Sequence, residues 1–134
     1  MIDYIVTAKN VLEIESQALK GLINNIDSNF SLAIDAVLSS KGKAIICGMG
    51  KSGIIGKKIA ATFASTGTPS FFMHPGEAYH GDLGMVSPDD IFIALSNSGE
   101  TDEVVKLIPF LKDNGNILIS MTGNPKSTLA QASD

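Results

Sequence analysis

The chain has 134 residues, of which 44% are hydrophobic and 18% charged, the composition of one ordinary globular domain. Its net charge of −4 argues against nucleic acid as the main partner, because binding to a phosphate backbone requires a clustered basic surface. All ten cations are lysines, so the bidentate arginine contacts that often hold phosphate are excluded.

The sequence shows no sign of a membrane segment. Its longest apolar stretches are about five residues, far short of the ~20 residues that cross a bilayer as a helix. The N-terminus also lacks the basic and then apolar pattern of a signal peptide. We therefore expect a cytoplasmic protein that does not interact with membranes.

The first 40 residues have the periodicity of helices. Apolar residues recur every three or four positions from residue 3 to residue 26, which predicts one amphipathic helix with a break near Gly21. Cap residues at 27–29 predict the start of a second helix, which ends before Lys41-Gly42-Lys43. These helices, spanning residues 3–40, are expected to precede an α/β core at 41–134 within a single domain, 1–134.

After residue 40, short apolar runs alternate with helical segments. Helices are predicted at 54–65, 101–112 and 127–132, and a loop or short helix at 74–84. Strands are predicted near residues 44–48, 69–73, 91–95 and 117–121. This alternation predicts an α/β fold: a three-layer αβα sandwich with a parallel, flavodoxin-like sheet. Another strand would be due after the last helix, so we expect the domain to be truncated at its C-terminus.

A glycine-rich loop, Gly48-Met49-Gly50-Lys51-Ser52-Gly53, follows the first predicted strand. Its spacing matches the dinucleotide-binding pattern, but the acidic residue expected at the end of the second strand is replaced by Met73-His74. The sequence does not match the nucleotide P-loop motif either, since the first glycine of that motif would fall at position 45, which is Ile45. The general prediction that remains is an anion site at a helix N-terminus, expected at Ser52.

A second polar loop, Ser96-Asn97-Ser98-Gly99-Glu100-Thr101, follows the third predicted strand. It brings three hydroxyls and an amide to the start of a helix, where backbone N–H groups are unpaired and the dipole is positive. Helix capping alone would need only one such hydroxyl. Ligands of open α/β sheets bind at the carboxyl ends of the strands, so the loops after strands one and three together predict a phosphate site.

These motifs resemble the sugar isomerase (SIS) domains, in which Ser-x-Ser-Gly-Glu-Thr follows a buried strand. Within that family, the blocks 48–53, 61–69 and 74–85 are similar to the arabinose 5-phosphate isomerases. The resemblance implies interconversion of D-ribulose 5-phosphate and D-arabinose 5-phosphate through an enediol or enediolate, for the Kdo of lipopolysaccharide or capsule. It also implies a homotetramer without cofactor, usually with a pair of CBS domains after the isomerase domain.

The resemblance also assigns roles to individual residues. Catalysis falls on Lys51, His80 and Glu103. Phosphate and substrate binding falls on Gly50, Ser52, Ser96, Asn97, Ser98 and Thr101. A second glutamate and a further histidine of the family correspond to positions beyond Asp134. We therefore expect residues 1–134 alone to bind a sugar phosphate but to catalyse slowly.

The chemistry of these side chains fits such a reaction. Moving a carbonyl between adjacent carbons requires a base for a carbon-bound proton, an acid for oxygen protons and a cation near the enediolate. Lys51 is the candidate cation, and a histidine such as His80 can serve as acid or base near neutral pH. Glu103 is a candidate base, although an acidic residue in a first helical turn also favours the helix dipole. His74, which precedes a proline, is predicted to shape the turn.

Other functions stay open at this point. SIS domains also occur in regulators that sense sugar phosphates without converting them, and phosphoheptose and hexulose-phosphate isomerases are rivals within the family. A nucleotide-binding oxidoreductase is disfavoured by the missing acidic residue. The group His74, Glu77, His80 and Asp82 has the residue types of a metal site, but enediol chemistry requires no metal and we predict none.

Overall fold

The computed structural model describes residues 2–134, which divide into two compact units. The first unit ends at Asp35 and the second runs from Ala36 to Asp134. Within the described residues, no helix combines the length and the apolar character needed to cross a membrane.

The first unit consists mainly of helix α1 (Tyr4–Leu22). Asp3 caps this helix, since its carboxylate accepts the N–H groups of Ile5 and Val6 at 2.9 and 3.2 Å. None of the α1 side chains is buried. The helix predicted to reach residue 26 ends at Leu22, directly after Gly21, and a 3-10 turn (Ile23–Asn25) follows.

Helix α2 (Ser28–Ser39) contains the boundary between the two units. The Asp27 carboxylate accepts the N–H of Asn29 at 2.9 Å, so the predicted cap is present. On the second unit's side of the boundary, Ala36 and Val37 pack against buried residues of the sheet. The end of α2 therefore belongs to the core of the second unit.

Four parallel strands form the sheet of the second unit, as predicted. Their spatial order is β2-β1-β3-β4, and every residue of β1 and β3 is buried, as expected for central strands of a parallel sheet. The strands are β1 (Ala44–Gly48), β2 (Ser70–Met73), β3 (Ile91–Leu95) and β4 (Ile117–Met121). This order confirms the flavodoxin-like arrangement.

Helices cover both faces of this sheet. Alternate strand residues such as Ile45 and Phe92 belong to one buried cluster, while Ile46 and Ile93 belong to another on the opposite face. The helices of this unit are α3 (Gly50–Ser65), α4 (Pro75–Ala78), α5 (Asp102–Val105), α6 (Ile108–Asn114) and α7 (Thr128–Ala132). The three-layer αβα prediction is confirmed.

Two predicted helix boundaries were wrong. Helix α3 begins at Gly50 rather than at residue 54. A Cβ on Gly53 would lie 2.6 Å from the carbonyl oxygen of Gly48, so only a glycine lets α3 start this close to the end of β1. The helix predicted at 101–112 is two helices, because Pro109 has no N–H to donate to the carbonyl four residues earlier.

A buried polar network fastens the amino ends of three strands. The Asp90 carboxylate accepts the N–H of Lys43, just before β1, at 2.7 Å and that of Ser87 at 2.8 Å. The side-chain amide of Asn116, just before β4, donates to the carbonyls of Ser87 and Asp90 at 2.8 and 2.9 Å. These bonds tie β1, β3 and β4 together at the amino ends of the strands, away from the polar loops that follow their carboxyl ends.

Candidate functional site

An open cleft of about 320 Å³ lies at the carboxyl ends of β1, β3 and β4. It joins the start of α3, the polar loop after β3 and the segment after β4. Its lining residues are Lys51, Ser52, Ile55, Leu95, Ser96, Asn97, Met121, Thr122 and Gly123. The cleft therefore contains four residues that the sequence analysis selected: Lys51, Ser52, Ser96 and Asn97.

The first turn of α3 contributes Lys51 and Ser52 to the cleft. Because the helix starts at Gly50, Ser52 is its third residue and lies in its first turn. The anion site was predicted at Ser52, which is thus at the N-terminus of a helix. Met49, the N-cap, makes no side-chain capping bond. A 16-residue helix thus presents the positive end of its dipole beside an exposed lysine, an arrangement that attracts anions.

The loop after β3, residues 96–101, is called the Ser loop here. Ser96 is buried, and its hydroxyl accepts the N–H of Gly99 at 3.0 Å and lies 2.8 Å from the hydroxyl of Thr101. Ser98 is exposed, and its hydroxyl accepts the N–H of Glu100 at 3.1 Å. Hydroxyls at these positions shape the loop internally, and the exposed Ser98 oxygen keeps a proton that it can donate to a ligand.

The segment after β4 completes the cleft, and sequence analysis missed it. The N–H of Gly123 and the hydroxyl of Thr122 both donate to the carbonyl of Asn97, at 3.0 and 3.2 Å. Thr122 and Gly123 thus line the cleft and also hold the Ser loop in place. A signal for them was available, because β4 was predicted correctly and its carboxyl end must meet those of β1 and β3 at the same edge.

Glu100 links the Ser loop to helix α7, which is a second support of the loop. Its carboxylate accepts the N–H of Thr128, the first residue of α7, at 2.7 Å. This backbone hydrogen bond lowers the pKa of the Glu100 carboxyl below its ordinary value, because it favours the ionised form. Sequence analysis assigned Glu100 no role.

Two of the predicted catalytic residues, His80 and Glu103, are exposed and do not line the cleft. His80 follows α4, and Glu103 lies in the first turn of α5. The hydroxyl of Tyr79 donates to the carbonyl of Lys106, so the loop that carries His80 is tied to the end of the helix that carries Glu103. The structure brings the two elements together, but no hydrogen bond or ion pair joins the side chains of His80 and Glu103.

His74 shapes its turn, as predicted. Its Nδ1 accepts the N–H of Gly76 at 3.1 Å and so caps α4. This bond requires the unprotonated form of Nδ1, which places the ring proton of the neutral side chain on Nε2. Within residues 2–134, no three or more His, Cys, Asp or Glu side chains are grouped so that they could hold a metal ion.

The family description "SIS domain" matches residues 37–134, which is most of the chain and includes every residue of the cleft. The chain belongs to the SIS domain family. Over 133 residues, 99% of this chain, the SIS chain is 54% identical to arabinose 5-phosphate isomerase KdsD of Yersinia pestis. Over 132 residues, 98% of the chain, it is 56% identical to the protein of the same name from Escherichia coli K12. It spans about 40% of the length of these relatives.

A solved structure from Escherichia coli CFT073, in complex with arabinose 5-phosphate, has the same fold. It superposes on this SIS domain with a TM-score of 0.93 at 48% sequence identity, covering 99% of this chain and 72% of the other. The predicted resemblance to the SIS family and to its arabinose 5-phosphate isomerases is therefore confirmed.

Proposed function

We propose that this SIS domain is the catalytic domain of an aldose–ketose isomerase that interconverts D-ribulose 5-phosphate and D-arabinose 5-phosphate. The observation that carries the proposal is the cleft at the carboxyl ends of the strands, which Lys51 lines together with Ser96 and Asn97 of the Ser loop. Relatives named arabinose 5-phosphate isomerase share more than half of its residues, and a structural neighbour was solved with arabinose 5-phosphate. These observations agree on a small phosphorylated sugar as the ligand.

In this proposal, the phosphate group binds to the Ser loop and to the first turn of α3. Hydroxyl and backbone N–H donors surround the anion, and the α3 dipole adds to their attraction. The residues that we assign to this binding are Gly50, Ser52, Ser96, Asn97, Ser98 and Thr101. Lys51 lies beside them and supplies a positive charge for the phosphate. The chain contains no arginine, so this charge has to come from a lysine.

The reaction then requires proton transfers at the carbonyl end of the sugar. A base removes a proton from C1 of ribulose 5-phosphate, next to the C2 carbonyl, and the C–H electrons form an enediolate. A proton is then added to C2, and the carbonyl is left at C1. We assign the stabilisation of the enediolate to Lys51 and the transfer of protons to His80 and Glu103. Because neither His80 nor Glu103 lines the cleft, we expect the 74–85 loop and α5 to approach the ligand when it binds.

The test is an isomerisation assay in D₂O with D-ribulose 5-phosphate as substrate. We expect D-arabinose 5-phosphate with deuterium at C2, since an enediolate takes its new proton from a base that exchanges with solvent. D-ribose 5-phosphate, the epimer at C2, serves as the stereochemical control. Tight binding of the sugar phosphate without any turnover would instead identify a sensor domain, and release of the epimer would identify a different isomerase.

We also propose that the protein is a homo-oligomer, a tetramer according to the family resemblance. Apolar side chains along α1 are largely exposed, including Ile5 at 69%, Leu12 at 66% and Leu19 at 67%. Burial between symmetry-related copies would remove this surface from water, which is favourable by roughly 25 cal/mol per Å². Light scattering coupled to size-exclusion chromatography tests this proposal, and a monomer at high protein concentration would contradict it.

The place of the reaction in metabolism is a separate proposal. We propose that the arabinose 5-phosphate supplies Kdo for lipopolysaccharide or capsule, as the family resemblance implies. Expression of the protein in a bacterial strain that needs added arabinose 5-phosphate for growth tests it. Growth without the supplement is the expected result, and a continued need for it would contradict the proposal.

A further inference from the structure

The Ser loop depends for its shape on a neighbouring stretch of chain, residues 121–129, which we call the 121–129 segment. The N–H of Ser96 donates to the carbonyl of Met121 at 3.1 Å, and the N–H of Leu129 donates to the carbonyl of Gly99, also at 3.1 Å. Together with the bonds from Thr122 and Gly123 to Asn97, these contacts support the loop from its first residues to its centre. The loop is therefore held in place by hydrogen bonds to the 121–129 segment as well as by hydrogen bonds to its own hydroxyls.

The fit between the two stretches is close. A Cβ on Gly99 would lie 1.9 Å from the hydroxyl oxygen of Ser127 and 2.4 Å from its Cβ, so the Gly99 backbone rests directly on the start of α7. Ser127 is itself buried and caps α7 by accepting the N–H of Ala130 at 3.2 Å. A shift of α7 would thus move the backbone of the Ser loop.

Glu100 is the acidic side chain at this junction. Its carboxylate accepts the N–H of Thr128 at 2.7 Å, one of the backbone donors that a helix leaves unpaired at its start. A negative charge there also favours the helix dipole. The bond occupies a carboxylate that would otherwise stand free, one residue before Thr101, in a loop that has to receive a dianionic phosphate.

We propose that Glu100 is a positioning residue for phosphate recognition: by capping α7, its carboxylate holds the Ser loop in the shape that receives the phosphate. This inference rests on the proposed function. Glu100 acts through the loop backbone and not by touching the substrate. Its loss should therefore weaken substrate binding far more than it slows the chemical step.

The alternative is that Glu100 only stabilises the fold. Ser133, at the other end of α7, offers a matched control because its hydroxyl donates to the carbonyl of Leu129 at 2.7 Å without touching the Ser loop. Ser133→Ala removes one α7 hydrogen bond, as Glu100→Ala does. A purely structural role would make the two variants alike in substrate binding.

The experiment compares Glu100→Ala, Glu100→Gln and Ser133→Ala with the wild-type protein in the ribulose 5-phosphate assay. For Glu100→Ala we expect KM to rise about tenfold, the usual scale for one charge-assisted hydrogen bond, with kcat within about threefold of wild type. Glu100→Gln keeps an oxygen that can accept the Thr128 N–H, so KM should return to within about threefold of wild type. Ser133→Ala should leave KM unchanged.

Hydrogen exchange of the backbone amides in the Ser loop provides a readout that does not depend on turnover. We expect faster exchange at residues 96–101 in Glu100→Ala and no change there in Ser133→Ala. Equal KM values and equal exchange in these two variants would overturn the proposal. If the wild-type protein neither binds nor converts the sugar phosphate, the proposed function fails, and the exchange data still decide whether Glu100 holds the loop.

Discussion

The hydroxyl oxygens of Ser96 and Thr101 lie 2.8 Å apart, and the Ser96 hydroxyl also accepts the N–H of Gly99. Ser96 is buried, whereas Ser98 is exposed on the same loop. The two serines of one motif therefore do different work. Ser96, which also belongs to the proposed phosphate site, maintains the form of the loop. Ser98 is proposed to donate its exposed hydroxyl to the phosphate.

The first prediction separates these two roles. Ser96→Ala should lower the free energy of unfolding by about 1 kcal/mol, because it removes hydrogen bonds inside the loop. Ser98→Ala should leave that free energy nearly unchanged but weaken binding of arabinose 5-phosphate by about tenfold or more. Urea unfolding and calorimetric titration measure the two quantities. Affinity within about twofold of wild type in Ser98→Ala would remove Ser98 from the site.

The second prediction concerns the cation of the cleft. Lys51→Met should lower kcat/KM by about 10²-fold, the scale for loss of one group that stabilises a developing negative charge. Lys58→Met, on the exposed part of the same helix and away from the cleft, is the control and should keep near wild-type activity. If both variants were equally active, the enediolate would have to be stabilised by another group.

The third prediction tests the packing of the Ser loop on α7. Gly99 and Gly115 both have positive φ, 68° and 80°, but only at Gly99 would a Cβ collide with a neighbour. Gly115→Ala should cost about 1 kcal/mol for the backbone conformation alone. Gly99→Ala should cost clearly more and should also weaken phosphate binding. Equal losses of stability in the two variants would show that α7 shifts at little cost to make room for a Cβ at position 99.

The fourth prediction is a pH dependence of stability. The pKa of Glu100 in the folded protein lies below its ordinary value of 4.5, because the carboxylate accepts the Thr128 N–H. Folding therefore favours the ionised form, so Glu100 stabilises the fold above pH 4.5 and loses this effect as the pH falls through the lowered value.

Glu100→Gln should accordingly be less stable than wild type at neutral pH, and the two should converge once the pH falls below the lowered pKa of Glu100. Unfolding by urea at a series of pH values measures the difference. A difference that stays constant with pH would mean that the charge of Glu100 contributes nothing to the bond.

The fifth prediction concerns the single cysteine. Burial in β1, a central strand of the sheet, raises the pKa of the Cys47 thiol to about 12. The reactive thiolate is therefore scarce, and reagents cannot reach it in the folded state. We expect no labelling by a thiol reagent at mildly alkaline pH until denaturant is added. Labelling at the same rate with and without denaturant would contradict the burial of β1.

The sheet could be predicted from the sequence because its strands are short, continuously apolar runs. Runs such as 44–47 and 91–95 have no polar face and are short for a helix, which together is typical of a strand covered on both sides. The start of α3 could not be predicted in the same way. Its first four residues include two glycines, which are poor helix formers, so helix propensity predicts a later start. The helix starts at Gly50 because its first turn packs closely against the end of β1, a tertiary contact that local propensity does not describe.

The site was predicted in part. The residues of the cleft that belong to recognisable motifs, Lys51, Ser52, Ser96 and Asn97, were selected from the sequence. Thr122 and Gly123 were not, because a Thr-Gly pair after a strand carries no motif of its own. Only their position after the predicted β4, at the carboxyl end of the sheet, could have indicated them. The capping of α7 by Glu100 was likewise invisible, since it joins positions 28 residues apart in the chain.

Asp90 and Asn116 have a consequence for the divergence of this fold. Their hydrogen bonds fix the alignment of β1, β3 and β4 from the end of the sheet that is remote from the cleft. Strand alignment is thus also supported at the end of the sheet that lies away from the polar loops. Under the proposed function, mutations in the polar loops can change which phosphorylated sugar is accepted while the strands keep their places. A library that varies Ile55 and Met121, exposed side chains that line the cleft, and leaves Asp90 and Asn116 untouched would sample new ligand preferences on an intact scaffold.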